Sequence, residues 1–126
     1  MTALTADQLL DAIVFVYGYN EDGTLMEFTF GIVVEGGKEF DALFDGFKGG
    51  GDYFALTVGH SLEDRDEVEV WSGLHPLVAR NHPPGSAGSS LSDKINVTNS
   101  SSVFRSKNLD VAAIRLGNYH GPAASI

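Results

Sequence analysis

The chain has 126 residues and a mass of 13.5 kDa, enough for one domain with a substantial core. It contains 17 acidic and 8 basic residues, and the resulting net charge of −9 argues against a nucleic-acid partner. Because cysteine is absent, disulfides, thiolate nucleophiles and cysteine-based zinc sites are excluded. The first ten residues lack the basic start of a secretory signal, and the longest apolar run, residues 12–17, is too short to span a bilayer. We therefore expect no membrane association and a location in the cytoplasm or another reducing compartment.

The N-terminal third of the chain predicts a short helix followed by a β-hairpin. Thr5-Ala6-Asp7-Gln8 has the capping-box pattern, which predicts a helix over Ala6–Ala12. From Ile13 the residues become β-branched and aromatic, as is typical of a strand. Asn20–Gly23 is a strong turn signal before a second extended segment, Thr24–Glu35. One face of that segment should carry Phe28, Phe30, Ile32 and Val34.

The middle of the chain predicts further strands and one segment with two interpretations. Residues 40–47 place apolar side chains at helical spacing, which indicates either a short helix ending near Gly46 or a loop whose aromatic rings cover the core. Tyr53–Val58 is predicted to be a buried strand, and Glu67–Ser72 alternates as a half-exposed strand does. Leu77–Arg80 has the composition of a further strand.

The C-terminal part contains one long loop and one clear strand. Residues 81–108 are rich in Pro, Gly, Ser and Asn, so we predict a long loop with one edge strand around Ile95–Thr98. Leu109–Leu116 is the last predicted strand, and residues 117–126 form a tail with no packing signal. The prediction is a single all-β domain over residues 1–126, because several short strands with Gly-rich turns are typical of a barrel or sandwich.

One pair of residues has the sequence context of a catalytic site. His60 follows the apolar strand and the small residue Gly59, so its side chain is held at the rim of the core. Fifty residues later Asp110 opens another apolar strand, where its carboxylate needs a hydrogen-bond donor such as an imidazole N–H. The other histidines, His75, His82 and His120, lie in turns or in the tail, and none has the spacing of a helical metal motif. We therefore expect no metal and no cofactor.

These two segments resemble those of the chymotrypsin-like (trypsin-fold) serine peptidases. Residues 57–61, Thr-Val-Gly-His-Ser, are similar to the segment that contains the family's catalytic histidine. Residues 110–116, Asp-Val-Ala-Ala-Ile-Arg-Leu, are similar to the segment that its catalytic aspartate opens. The resemblance covers about residues 29–116. It implies a six-stranded Greek-key-like barrel over residues 13–116, half of a two-barrel fold, in which His60 is the general base and Asp110 orients it.

The resemblance also implies that part of the catalytic apparatus lies elsewhere. The family's second barrel supplies the nucleophile from a Gly-Asp-Ser-Gly-Gly-like segment, together with the oxyanion hole. No Gly-x-Ser-x-Gly occurs in the 126 residues, and the Ser-rich segment 85–89 has the wrong spacing. Ser61 stands where secreted members have cysteine, which fits a disulfide-free relative. We therefore expect the chain to be inactive alone and to pair with a complementary serine-bearing barrel or another polypeptide.

Two other hypotheses remain open at this point. The chain could be a non-catalytic β-barrel that binds a protein partner or a second copy of itself through an exposed apolar face. It could also be an acidic sandwich unrelated to peptidases, in which case the side chains of His60 and Asp110 should lie far apart. The distance between those two side chains separates the third hypothesis from the first.

Overall fold

The computed structural model describes residues 5–44, 52–117 and 119–124, and in that part of the chain it shows three short helices and seven strands. The elements in chain order are α1 (Ala6–Ala12), β1 (Ile13–Tyr19), β2 (Leu25–Glu35), α2 (Lys38–Leu43), β3 (Tyr53–Val58), a 3₁₀ turn (Gly59–Leu62), β4 (Glu67–Trp71), α3 (Pro76–Ala79), β5 (Ile95–Asn96), β6 (Val103–Arg105) and β7 (Val111–Leu116). None of the described helices has the length and apolar character needed to cross a membrane.

The strands form one antiparallel sheet that curls into a nearly closed barrel, so the prediction of a mostly β protein is confirmed. Their order across the sheet is β5-β4-β1-β2-β3-β7-β6, which leaves the short strands β5 and β6 at the two edges. The sheet has seven strands rather than the expected six. Residues 81–108, for which the sequence indicated one edge strand, contribute two, because Val103 turns into the core within an otherwise polar segment.

The first elements form as their local sequence predicts. The Thr5 hydroxyl accepts a hydrogen bond from the Gln8 backbone N–H at 3.2 Å, while the Gln8 side chain accepts one from the Thr5 N–H at 3.0 Å. This reciprocal capping box satisfies two of the backbone donors at the start of α1. Strands β1 and β2 then pair as the predicted hairpin.

Alternation along the strands separates an inner from an outer face. Because successive side chains of a strand point to opposite sides, each strand sends every second residue into the barrel. The apolar interior consists of Val14, Val16, Val33, Ala55, Leu62, Val68, Val70, Val103, Ala112, Ile114 and Leu116. Among the described residues, the fully buried members of this interior include no aromatic side chain, although Tyr53 and Tyr119 pack against it. The aromatic side chains of β1 and β2 alternate with its inward-facing residues and therefore lie on the outer face.

Helix α2 covers part of that outer face. Its residue Phe40 is buried against Phe54 of β3, with ring centroids 4.2 Å apart, and the C-cap residue Phe44 is buried against Phe40. They form a second apolar cluster with Val34 and Ala113. The structure therefore favours the helical interpretation for the start of residues 40–47, with the helix ending at Leu43, whereas residues 45–47 and the predicted end near Gly46 lie outside the described residues.

The predicted strand at Leu77–Arg80 is wrong, because this segment is the short helix α3, Pro76–Ala79, followed by Arg80. Proline at the first helical position has a preset φ and loses no hydrogen bond there. The imidazole Nδ1 of His75 accepts the Leu77 backbone N–H at 3.1 Å and so caps the helix. The apolar composition of the segment concealed these two helix-start features.

Part of the segment predicted as a tail also packs on the barrel. The backbone N–H of Ala124 donates to the carbonyl of Val33 at 2.8 Å, and its carbonyl accepts the N–H of Glu35 at 3.1 Å. The Tyr119 ring contacts the Tyr53 ring at 5.6 Å between centroids. Residues 119–124 thus cover one end of β2 and β3.

Candidate active site

The register of β3 and β7 brings together two residues that are far apart in sequence. The strands are antiparallel, and their last pair matches Val58 with Val111. Continuing that register by one step places Gly59 opposite Asp110, and the Gly59 N–H donates to the Asp110 carbonyl at 3.0 Å. The next residue, His60, therefore lies directly beside the Asp110 side chain.

Asp110 binds His60 through both of its carboxylate oxygens. Oδ1 accepts the His60 backbone N–H at 2.6 Å, and Oδ2 forms a short contact with Nδ1 of the same residue. Because an ionised carboxylate only accepts hydrogen bonds, this contact assigns the proton of the neutral imidazole to Nδ1. The lone pair then lies on Nε2, for which no hydrogen bond is found among residues 5–44, 52–117 and 119–124.

This contact is the opposite of what the third hypothesis predicted for these two side chains. An unrelated acidic sandwich predicted that His60 and Asp110 lie far apart, whereas their side chains are hydrogen-bonded. The pair is also accessible to solvent, since 67% of the His60 side chain and 54% of the Asp110 side chain are exposed. A group arriving from outside the barrel could therefore reach the imidazole.

The electrostatics of the pair favour its charged forms. The hydrogen bond and the charge of Asp110 raise the pKa of His60 above its ordinary value, and nearby Glu63 raises it further. The hydrogen bond from the imidazole lowers the pKa of Asp110 below its ordinary value. Asp110 therefore stays ionised at neutral pH and stabilises the imidazolium that forms when His60 takes up a proton.

Gly59 makes this geometry possible, and the sequence indicated only that a small residue stands there. A Cβ atom built at position 59 would lie 2.9 Å from Oδ1 of Asp110 and 3.2 Å from the backbone nitrogen of Val111. Ordinary carbon contacts are longer, so any side chain here would push the carboxylate away from the His60 N–H. The glycine directly before His60 is the signal that could have identified this requirement.

Buried groups on both sides of His60 anchor the turn. Thr57 is only 6% exposed. Its hydroxyl donates to the Phe30 carbonyl at 2.8 Å and so links β3 to β2. On the other side, Leu62 is buried in the barrel interior. The imidazole thus extends from a short segment that is fixed at both ends, which suits a group that must hold a defined position.

Among the described residues, no serine hydroxyl is hydrogen-bonded to the imidazole of His60. The Ser61 hydroxyl donates to the Val58 carbonyl at 2.6 Å, and the Ser86 hydroxyl donates to the Pro83 carbonyl at 2.6 Å. Ser89 binds Ser72 through its backbone N–H and lies alongside β4. The described residues therefore supply a base and its orienting acid, and show no hydroxyl hydrogen-bonded to that base.

His75, which the sequence placed in a turn before a proline, is largely buried. Its side chain is only 15% exposed, and its Nε2 lies 4.0 Å from Oε1 of Glu69. Its ring packs against Trp71 at 4.9 Å between centroids and against Tyr17 at 5.6 Å. Because its Nδ1 also caps α3, His75 stabilises the fold in this region. No group of three potential metal ligands occurs in the described residues.

A shallow apolar groove lies on the outer face of β1, β2 and β3 and ends at Val58, two residues before His60. We call it the apolar strip; it is lined by Ile13, Phe30, Gly31, Ile32, Leu56, Thr57 and Val58. Phe30 is 58% exposed and Val58 is 38% exposed, whereas α2 covers the neighbouring part of the same face. The His60–Asp110 pair and an uncovered apolar surface are therefore adjacent.

Comparison with known proteins adds no relative to this description. No family model, curated protein or solved structure matches the chain.

Proposed function

We propose that this chain is the base-bearing barrel of a chymotrypsin-like serine peptidase. The observation that carries the proposal is the double hydrogen bond between Asp110 and His60, which joins backbone N–H and imidazole Nδ1 of one residue to one carboxylate. An exposed histidine held in this way has one ring nitrogen occupied by the orienting acid and the other available for a reacting proton. That is the arrangement of base and orienter in a Ser-His-Asp site.

Each residue then has a defined step. Nε2 of His60 would accept the proton of a serine hydroxyl as that oxygen attacks the scissile carbonyl, and would later donate it to the leaving amine. Asp110 would hold the Nδ1–H tautomer and stabilise the imidazolium without being protonated itself. The raised pKa of His60 and the lowered pKa of Asp110 favour this charge distribution.

The strand order supports the ancestry. Strands β4, β1, β2 and β3 are neighbours in that order, and the same order is expected of the four strands of a Greek key. The base follows β3 and the acid precedes β7, and these two strands are adjacent. A Greek-key barrel with the pair at this position is what the resemblance implies for the family's N-terminal barrel.

The nucleophile and oxyanion hole would come from a second, serine-bearing barrel. The apolar strip beside His60 supports this part of the proposal, because a barrel that packs there would bring its serine close to Nε2. Without that barrel the chain should not hydrolyse peptides, since a base alone activates nothing.

The test is labelling by a fluorophosphonate, which reacts covalently with activated serines, in the complete product of the gene that encodes this chain. We expect one labelled serine outside these 126 residues, with labelling lost in His60→Ala and strongly reduced in Asp110→Asn. Leu77→Ser, which alters an exposed residue of α3, is the control and should label normally. Absence of labelling both in the folded gene product and in any complex that it forms, or labelling that is unaffected by His60→Ala, would refute the proposal.

The second candidate is a non-catalytic barrel that binds a protein partner, and the exposed apolar strip is the observation that favours it. This alternative predicts partner binding that persists in His60→Ala and no labelled serine. A strictly monomeric chain that binds no polypeptide would contradict it.

A further inference from the structure

The exposed apolar side chains of the described residues are concentrated on one side of the barrel. Eight large apolar residues are exposed: Leu9, Leu10, Ile13, Phe28, Phe30, Val58, Leu77 and Leu109. All except Leu77 belong to the apolar strip or to segments that border it, namely α1, β2 and the residues before Asp110. Scattered exposed apolar residues are ordinary, but a contiguous group marks an interaction surface.

The segments around the strip are acidic. Residues 5–13, 58–63 and 107–110 together contain four acidic residues and one basic residue, a net charge of −3 with histidine neutral. Asp11 lies two residues before Ile13 at one end of the strip, and Asp110 lies beside the residue that follows Val58 at the other. The lining residues themselves carry no charge. An apolar centre with an acidic border is complementary to an apolar face bordered by lysine or arginine.

We propose that the apolar strip docks a basic polypeptide surface, one with apolar side chains at its centre and cationic side chains around them. This inference rests on the proposed function in identifying the partner as the serine-bearing barrel, whose contact face would then be basic. A second copy of this chain is the less favourable occupant, because two molecules that each carry a net charge of −9 repel one another.

The sign of the salt dependence separates these two occupants. Attraction between opposite charges weakens as salt screens it, so binding of a basic surface should be tighter at low ionic strength. Repulsion between like charges is also screened, so self-association would become tighter at high ionic strength. The apolar contribution changes little between the two conditions over this range.

The experiment uses two short fluorescent peptides as probes, one alternating leucine with lysine and the other alternating leucine with glutamate. Anisotropy titrations with the full chain are recorded at about 20 mM and about 300 mM salt. We expect the lysine peptide to bind, with an affinity about tenfold weaker at the higher salt, and the glutamate peptide not to bind. Phe30→Thr should weaken the binding of the lysine peptide by about fivefold to tenfold, since a centrally placed aromatic side chain dominates such contacts.

Leu77→Ser is the matched control, because Leu77 is 52% exposed but lies on α3 outside the strip. Equal losses in Phe30→Thr and Leu77→Ser, or no loss in Phe30→Thr, would overturn the proposal. Dimerisation that tightens with salt and is abolished by Phe30→Thr would assign the strip to a second copy instead. His60→Ala should bind the lysine peptide normally. The docking proposal and the proposed function can therefore fail independently, because peptide binding tests the first and serine labelling tests the second.

Discussion

Replacing Gly59 by alanine tests whether Asp110 approaches the turn as closely as the structure shows. The new Cβ would lie 2.9 Å from Oδ1 of Asp110, about 0.5 Å inside the 3.4 Å at which ordinary contact begins. Relieving an overlap with a backbone-anchored carboxylate costs about 1–3 kcal/mol. Restricting the unfolded chain returns about 0.4–1 kcal/mol, because Gly59 does not need a positive φ. The middles of these two ranges give an expected net loss of about 1 kcal/mol in the free energy of unfolding.

The same substitution should change the ionisation of His60. Displacing the carboxylate weakens its hydrogen bond with the imidazole, which is the largest cause of the raised pKa. The pKa of His60 in Gly59→Ala should therefore fall toward the ordinary value of 6.5. The two measurements are urea unfolding and an NMR titration of the imidazole protons.

Gly117→Ala is the matched control, because a Cβ at position 117 would meet nothing within 4 Å. It should be neutral or stabilising by up to about 1 kcal/mol, and it should leave the pKa of His60 unchanged. If Gly59→Ala unfolds at the same urea concentration as Gly117→Ala and retains the wild-type pKa of His60, the close approach of Asp110 is wrong.

Three further predictions concern the His60–Asp110 pair, the Thr57 hydroxyl and the Phe40 ring. The raised pKa of His60 contributes stability that is fully present below pH 6.5 and is lost as the pH rises through the pKa of the folded state. The lowered pKa of Asp110 contributes stability that is fully present above pH 3.8 and is lost as the pH falls through the pKa of the folded state. The difference in unfolding free energy between wild type and His60→Ala should therefore be largest between these two ordinary values, and a difference that does not vary with pH would contradict the ion pair. Thr57→Val removes the hydroxyl that donates to the Phe30 carbonyl and should cost about 0.5–1.5 kcal/mol in urea unfolding, with a loss below about 0.5 kcal/mol showing that the bond is not made. Phe40→Ala removes a fully buried ring between α2 and β3 and should cost about 3–5 kcal/mol, whereas Phe30→Ala at an exposed position should cost clearly less, and equal losses would contradict the position of α2.

Several elements follow from local sequence because their determinants lie within a few residues. The capping box of Thr5 and Gln8 fixes the start of α1, and the turn at Asn20–Gly23 joins two strands whose alternation is readable. The strand before His60 and the apolar run after Asp110 are equally local. Both candidate residues could therefore be named from their contexts, although their roles remain a proposal.

Other elements were missed because their determinants are not local. Strand β6 has three residues in a polar segment, and it forms because Val103 can enter the interior beside Ile114 of β7. Helix α3 depends on Pro76 and on a cap from the imidazole of His75, and apolar composition alone favoured a strand there. Ala124 has no packing signal of its own, yet the backbone of Val33 and Glu35 binds it.

By itself, the sequence determined a cysteine-free, acidic, mostly β domain with a histidine at the end of one strand and an aspartate at the start of another, because composition and strand alternation are properties of short segments. Only the tertiary structure decided that these two side chains meet, since the contact depends on the register of β3 and β7 across fifty residues of chain and on the missing Cβ of Gly59. It also decided which apolar residues stay uncovered: α2 buries one part of the outer face, and the part beside His60, which is equally apolar in sequence, remains exposed. Alternation assigns a residue to a face of the sheet, but what packs on that face is set by elements distant along the chain.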